Sequence, residues 1–92
     1  MTANLPRYSA EEFARRGVEI YSNSIKPTVE TVENIGKFVL IDIESEIWEM
    51  DADEIAASQR LDARMPNAQV WMVRVGYPFV RRFGAGRVRT II

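Results

Sequence analysis

The chain has 92 residues, of which 47% are hydrophobic and 27% charged, with no cysteine, no histidine and a formal net charge of −1. That composition excludes cysteine/histidine zinc sites, thiol nucleophiles, Ser/His/Asp triads, imidazole bases and disulfide frameworks. Apolar runs such as Phe38-Val39-Leu40-Ile41 fall far short of the roughly 20 residues that a membrane helix needs, so the expectation is one folded domain over 1–92, not associated with a membrane, with the cytoplasm as default location.

Residues 1–8 read as an irregular lead-in, because Asn4 and Pro6 interrupt any periodicity. Ser9-Ala10-Glu11-Glu12 has the form of a capping box, in which the serine hydroxyl accepts an amide of the first turn and the glutamate reaches back to the cap amide. Phe13, Gly17, Ile20, Tyr21 and Ser24 follow at spacings of three and four, opposite Glu12, Arg15, Arg16 and Glu19, which predicts an amphipathic helix. Gly17 on its apolar stripe costs about 1 kcal/mol of helix propensity; it marks either close packing against a neighbour or a tolerated position. Pro27 is expected to begin a second short helix with Val29, Val32 and Ile35 as its stripe and Gly36 as its stop.

Lys37 to Glu44 is the strongest strand signal, with Val39, Ile41 and Ile43 on one face and Phe38, Leu40, Asp42 and Glu44 on the other. Ser45 and its neighbours form a polar connection to Ile47-Trp48-Glu49-Met50, which predicts a β-hairpin whose turn lacks the usual glycine or asparagine. Asp51 is expected to cap a helix running to about Met65, with Ile55, Ser58, Leu61, Asp62 and Met65 as its stripe, Ala57 beside them, and Arg60 and Arg64 near its C-terminal end. Gln69 to Val75 is a further strand, with Trp71, Val73 and Val75 on one face and Val70, Met72 and Arg74 on the other. Gly76 and Pro78 end it; Val88 to Ile92 suggests a short edge strand after Gly84 and Gly86.

The expected fold is therefore α+β, with two N-terminal helices, a β-hairpin, a helix, a strand and a C-terminal edge strand in a small two-layer sandwich. Parallel pairing of 69–75 beside the first strand would require a right-handed connection. Open sheet edges in so small a protein must be charged, covered or paired, and a homodimer satisfies that need.

Charge is segregated along the chain. Residues 27–54 hold nine acids against Lys37, and residues 55–92 hold seven arginines against Asp62. Such poles either steer a charged partner or neutralise each other within the fold. Arg81, Arg82, Arg87 and Arg89, interleaved with Phe83, Gly84 and Gly86, form an arginine-rich tail over 81–92 of the kind that holds phosphates and stacks on bases, although a pI near 5.4 argues against a dedicated nucleic-acid binder. Carboxylates are the only catalytic candidates: Asp42 and Glu44, about 7 Å apart by strand rise, have the spacing for acid–base or divalent-metal chemistry, with structural hydrogen bonding as the simpler role, and Asp51, Asp53 and Glu54 look metal-like too, although helix capping accounts for them. Trp48, Trp71, Tyr77 and Phe79 either line a contact surface or pack in the core.

The blocks Ser9-Ala10-Glu11-Glu12-Phe13, Arg16-Gly17-Val18-Glu19-Ile20-Tyr21, Ile25-Lys26-Pro27, Gly36-Lys37-Phe38-Val39-Leu40-Ile41-Asp42-Ile43-Glu44, Asp51 to Glu54, Arg60-Leu61-Asp62-Ala63-Arg64-Met65-Pro66-Asn67-Ala68 and Arg74-Val75-Gly76-Tyr77-Pro78 together resemble a family of small uncharacterised bacterial proteins. The resemblance runs from about Ser9 to Gly84 and implies no catalytic set and no cofactor. It implies a small partner in compact gene pairs of the toxin–antitoxin or regulatory kind. The hairpin departs from the family's Thr-Gly turn, carrying Ser45-Glu46 instead. The functional expectation is a non-enzymatic, antitoxin-like protein-interaction module, dimeric, with Trp48, Trp71, Tyr77, Phe79 and the arginines 81, 82, 87 and 89 as contacts; the alternative is nucleic-acid or phosphate-ligand binding through those arginines.

Overall fold

A computed structural model describes residues 7–77. The expected edge strand at 88–92, the tail at 81–92, Phe79 and most of the lead-in lie outside the described residues. Ser9 caps α1 (Ala10–Ile20) as its sequence demands, its hydroxyl accepting the Glu12 amide at 3.1 Å. The glutamate does not complete a box with the cap; its carboxylate turns along the helix to Arg16 and Arg15.

Pro27 does not force a fresh helix. The chain runs on from α1 through one π-turn (Tyr21–Ile25) into a single α-helical turn, α2 (Lys26–Val29). The wider turn lets Lys26 donate to the Tyr21 carbonyl, and Pro27 falls in the first turn of α2, where its missing amide is least costly. The second expected stripe also fails beyond Val29: Val29 is buried, but a 3-10 turn (Val32–Asn34) leaves Val32 and Ile35 exposed.

The sheet has three strands, β1 (Phe38–Asp42), β2 (Trp48–Asp51) and β3 (Val70–Arg74), in the order β2-β1-β3 with both pairings antiparallel. β2 and β3 therefore run in the same direction on either side of β1, joined by α3 (Glu54–Arg64). The cap of α3 is Asp53, which accepts the Ile55 amide at 3.0 Å, and not Asp51, whose carboxylate takes the Asp53 amide instead. With the start shifted by two residues, the buried stripe becomes Ala57 and Leu61, with Met65 half-buried and Ile55 and Ser58 facing out.

Layering differs from the two-layer expectation because both faces of β1 are apolar. Val39, Ile41 and Ile43 pack with Ile20, Tyr21, Ile25, Val29 and Val75 on the side of the N-terminal helical rod. Leu40 packs with Ala57 and Leu61 on the other, under α3. The sheet is thus sandwiched between helical segments.

Gly17 is resolved in favour of close packing. A Cβ placed there would lie 2.2 Å from Trp71 Cγ, so α1 approaches β3 only because that position has no side chain. The hairpin turn is closed by the Glu46 amide donating to the Asp42 carbonyl at 2.7 Å, and Glu46 adopts φ 68°. That left-handed conformation is one glycine adopts freely and glutamate adopts at a cost of about 1–2 kcal/mol. Two substitutions check these assignments by chemical denaturation: Gly17→Ala is expected to lower stability by about 2 kcal/mol through overpacking against Trp71, and Glu46→Gly to raise it by about 1 kcal/mol. An unaltered midpoint for Gly17→Ala would contradict the close approach.

Candidate functional site

The alternation of hydrogen bonds decides which backbone groups the sheet leaves open. Ile43 donates to the Gln69 carbonyl at 3.0 Å and Val75 to the Lys37 carbonyl at 2.8 Å, so with Ile41 opposite Trp71 and Val39 opposite Val73 these two pairs exchange bonds. The N–H and C=O groups of Val70, Met72 and Arg74 consequently point away from β1, and of these the Arg74 carbonyl accepts the Tyr77 amide at 3.1 Å. Among the described residues no strand lies beyond them.

Those same positions carry the side chains on the α3 side of β3. α3 lies over β1 and β2, and a helix with a two-residue buried stripe does not reach across a third strand. Val70 and Met72 are left 40% and 41% exposed. A groove of about 240 Å³ separates α3 from the start of β3, lined by Ser58, Gln59, Asp62, Ala68 and Val70. Arg74 is not a free charge: its Nε donates to the Gly36 carbonyl at 3.1 Å, and its guanidinium lies 5.0 Å from the Phe38 ring centroid and 4.4 Å from that of Tyr77. Tyr77 is exposed at the end of this stack. The site is an apolar strand edge bounded by a pinned arginine.

The opposite edge is built differently. By the same alternation, the Asp42 amide donating to the Ile47 carbonyl turns the backbone groups of Trp48 and Met50 outward. Arg60 fills that position, donating through Nη2 to the Met50 carbonyl at 2.9 Å and through Nε to Glu49 at 2.9 Å, with Nη1 3.2 Å from Asp51. Arg64 also pairs with Glu49. Of the acids that suggested a negative pole, Glu49 and Asp51 are thus neutralised by arginines of α3. Arg60 and then Arg64 hold the Glu49 carboxyl below the usual carboxylate range. Strand β2 is charged and covered, two of the standard protections of a sheet edge.

Asp42 and Glu44 are committed to structure. Asp42, 2% exposed, accepts from Ser45 Oγ at 2.8 Å, the Gln69 amide at 3.0 Å and the Glu44 and Ser45 amides at 3.3 Å, tying the hairpin turn to the entry of β3. Glu44 receives a two-pronged contact from Arg7, with Nη2 at 2.6 Å and Nε at 3.0 Å, and the Tyr8 hydroxyl at 3.0 Å. No three acidic side chains among the described residues are placed to hold a metal ion.

Of the expected contact residues, Trp48 and Trp71 are half-buried against the core on the rod side. Trp71 meets Phe13 edge-on at 5.5 Å between centroids. Its buried Nε1 has no hydrogen-bond partner. Tyr77 is at the surface; Phe79, Arg81, Arg82, Arg87 and Arg89 lie outside the described residues. Val70 and Met72 were not among the contacts expected from the sequence. Their signal was a second apolar face on β3 with only one narrow helical stripe available to cover it.

The arginine clamp on Glu49 has a pH signature. Because the folded-state pKa is depressed, its stabilisation is present above the ordinary carboxyl value of 4.5 and is lost as pH falls through the folded value. Glu49→Gln is expected to lower stability at pH 7 and to flatten the acid limb of the stability profile; parallel profiles for the two proteins below pH 5 would contradict the clamp. Set beside family models, curated proteins and solved structures, the chain matches none of them.

Proposed function

We propose that the chain is a non-enzymatic protein-interaction module that receives an extended strand of another polypeptide along β3. The supporting observation is the contrast between its two sheet edges. At β2 an arginine occupies the outward carbonyl of Met50, whereas at β3 the outward backbone of Val70 and Met72 is flanked by their own half-exposed apolar side chains. An edge of that kind is a template for strand addition, in which main-chain hydrogen bonds supply affinity and alternate side chains supply selectivity.

The non-enzymatic part of this reading is supported by the structural use of the acidic pair that the sequence singles out for chemistry. The Asp42 carboxylate is filled by hydrogen bonds of the hairpin and β3 entry, and Glu44 is held by Arg7 and Tyr8. In the gene-pair setting that the sequence resemblance implies, binding of this type takes the form of an antitoxin-like masking of a partner's surface.

Affinity purification from the native host with the full chain tests the reading. A protein, or a second copy, retained by the wild type is expected to be lost from Val70→Lys/Met72→Lys, whose melting temperature stays within a few degrees because both positions are partly exposed. Association that survives the double substitution would place the contact elsewhere and contradict the proposal.

A further inference from the structure

We infer that the occupant of the β3 edge is a second copy of this chain, paired antiparallel about a two-fold axis through Met72 to give a continuous six-stranded sheet; this rests on the reading of β3 as the open edge. Strand β3 has five residues with Met72 at its centre. Its outward backbone groups belong to Val70, Met72 and Arg74, set by the hydrogen bonds of Ile43 and Val75 to either side. A two-fold at Met72 places Met72 opposite itself and Val70 opposite Arg74 of the second copy. The Met72 N–H and C=O then face those of the second Met72, and the Arg74 N–H faces the Val70 carbonyl; the Arg74 carbonyl, which accepts the Tyr77 amide of its own chain at 3.1 Å, takes the Val70 amide as a second donor. A shift of one residue would set outward groups against inward ones and lose the ladder.

Charge favours the same arrangement. β3 carries no acid, and its one charge, Arg74, is held by the Gly36 carbonyl between Phe38 and Tyr77. In the Met72-centred register the two Arg74 positions lie four residues apart along paired strands, about 13 Å, beyond the screening length of about 8 Å at physiological ionic strength. No like charges meet. On the α3 side of the junction two valines and two methionines lie side by side, so that each copy shields the flanks of the other's apolar side chains from water. Self-pairing at β2 is opposed by the same criteria, since Glu49 and Asp51 would approach their own copies and Arg60 occupies the Met50 carbonyl. A three-stranded sheet is near the minimum for stability on its own, and doubling it also pairs the edge that no strand covers among the described residues.

The absence of cysteine makes the register directly testable. In Met72→Cys the only disulfide that can form joins two chains, and opposed positions in an antiparallel pair lie within the Cα separation that a disulfide spans. The full-length protein is expected to show a dimer mass by light scattering, and Met72→Cys to convert to a covalent dimer under mild oxidation while Ile55→Cys, on an exposed position of α3, stays largely free. Met72→Lys, which sets two ammonium groups face to face, is expected to weaken self-association by about a hundredfold. A monomer mass with an unreacted Met72→Cys thiol would overturn the inference, whether the edge is covered by residues 78–92 or by a different protein. A dimer in which Ile55→Cys cross-links as readily as Met72→Cys would overturn it too. The broader reading of β3 fails separately, through a host partner whose retention ignores the lysine substitutions.

Discussion

Burial of β1 on both faces and pairing along both of its sides is the constraint that places everything else. Val39, Ile41 and Ile43 demand one helical cover and Leu40 another, so the rod formed by α1, its π-turn and α2 takes one face and α3 takes the other. Asp42 closes the strand at its far end, its buried carboxylate joining the hairpin turn to the entry of β3 through the Gln69 amide. A buried carboxylate is tolerated only when its oxygens are filled, and here the filling is what holds β3 alongside β1. Removal of that carboxylate would take from the buried Gln69 amide and from the exposed Ser45 the acceptor that they share.

The two covers are unequal, and this gives the molecule its functional asymmetry. The rod is long and reaches β3, helped by Gly17, which lets α1 descend onto Trp71. α3 has a narrow stripe of Ala57 and Leu61 and is anchored toward β2 by Arg60 and Arg64 on Glu49. The ion pairs anchor α3 on the β2 side, and among the described residues the same face of β3 is left bare. Such partly exposed pairs contribute little to stability individually; their larger effect is on where the helix sits. One edge of the sheet is sealed by charge as a consequence, and the other is left with valine and methionine.

Much of this was legible in the sequence. The Ser9 cap, the period-two pattern of β1, the returning strand and the faces of β3 all appear as residue patterns, because each depends on neighbours within a few positions. The misreadings were tertiary. Pro27 was expected to restart the helix, but packing of Ile25 and Val29 on the sheet keeps the rod continuous through a π-turn. Asp51 and Asp53 are both good caps, and only the pairing of Asp51 with Phe38 in the sheet shows which of them is free to start α3. The layers were undercounted because Leu40 and Phe38 share their face with Asp42 and Glu44, which made that side look polar. The bare face of β3 was written in Val70 and Met72 as apolar alternation; that α3 stops short of it depends on the long-range pairing of Arg60 and Arg64, which no local pattern encodes.

Residue-resolved amide hydrogen exchange on the full-length protein, at a low and a high concentration, tests the central claim most directly. The Val39 and Ile41 amides, inside the sheet in either state, serve as internal references. The account predicts that the Val70 and Met72 amides are protected at high concentration and lose that protection on dilution, while the references do not change. Exchange at Val70 and Met72 that is the same at both concentrations would contradict it.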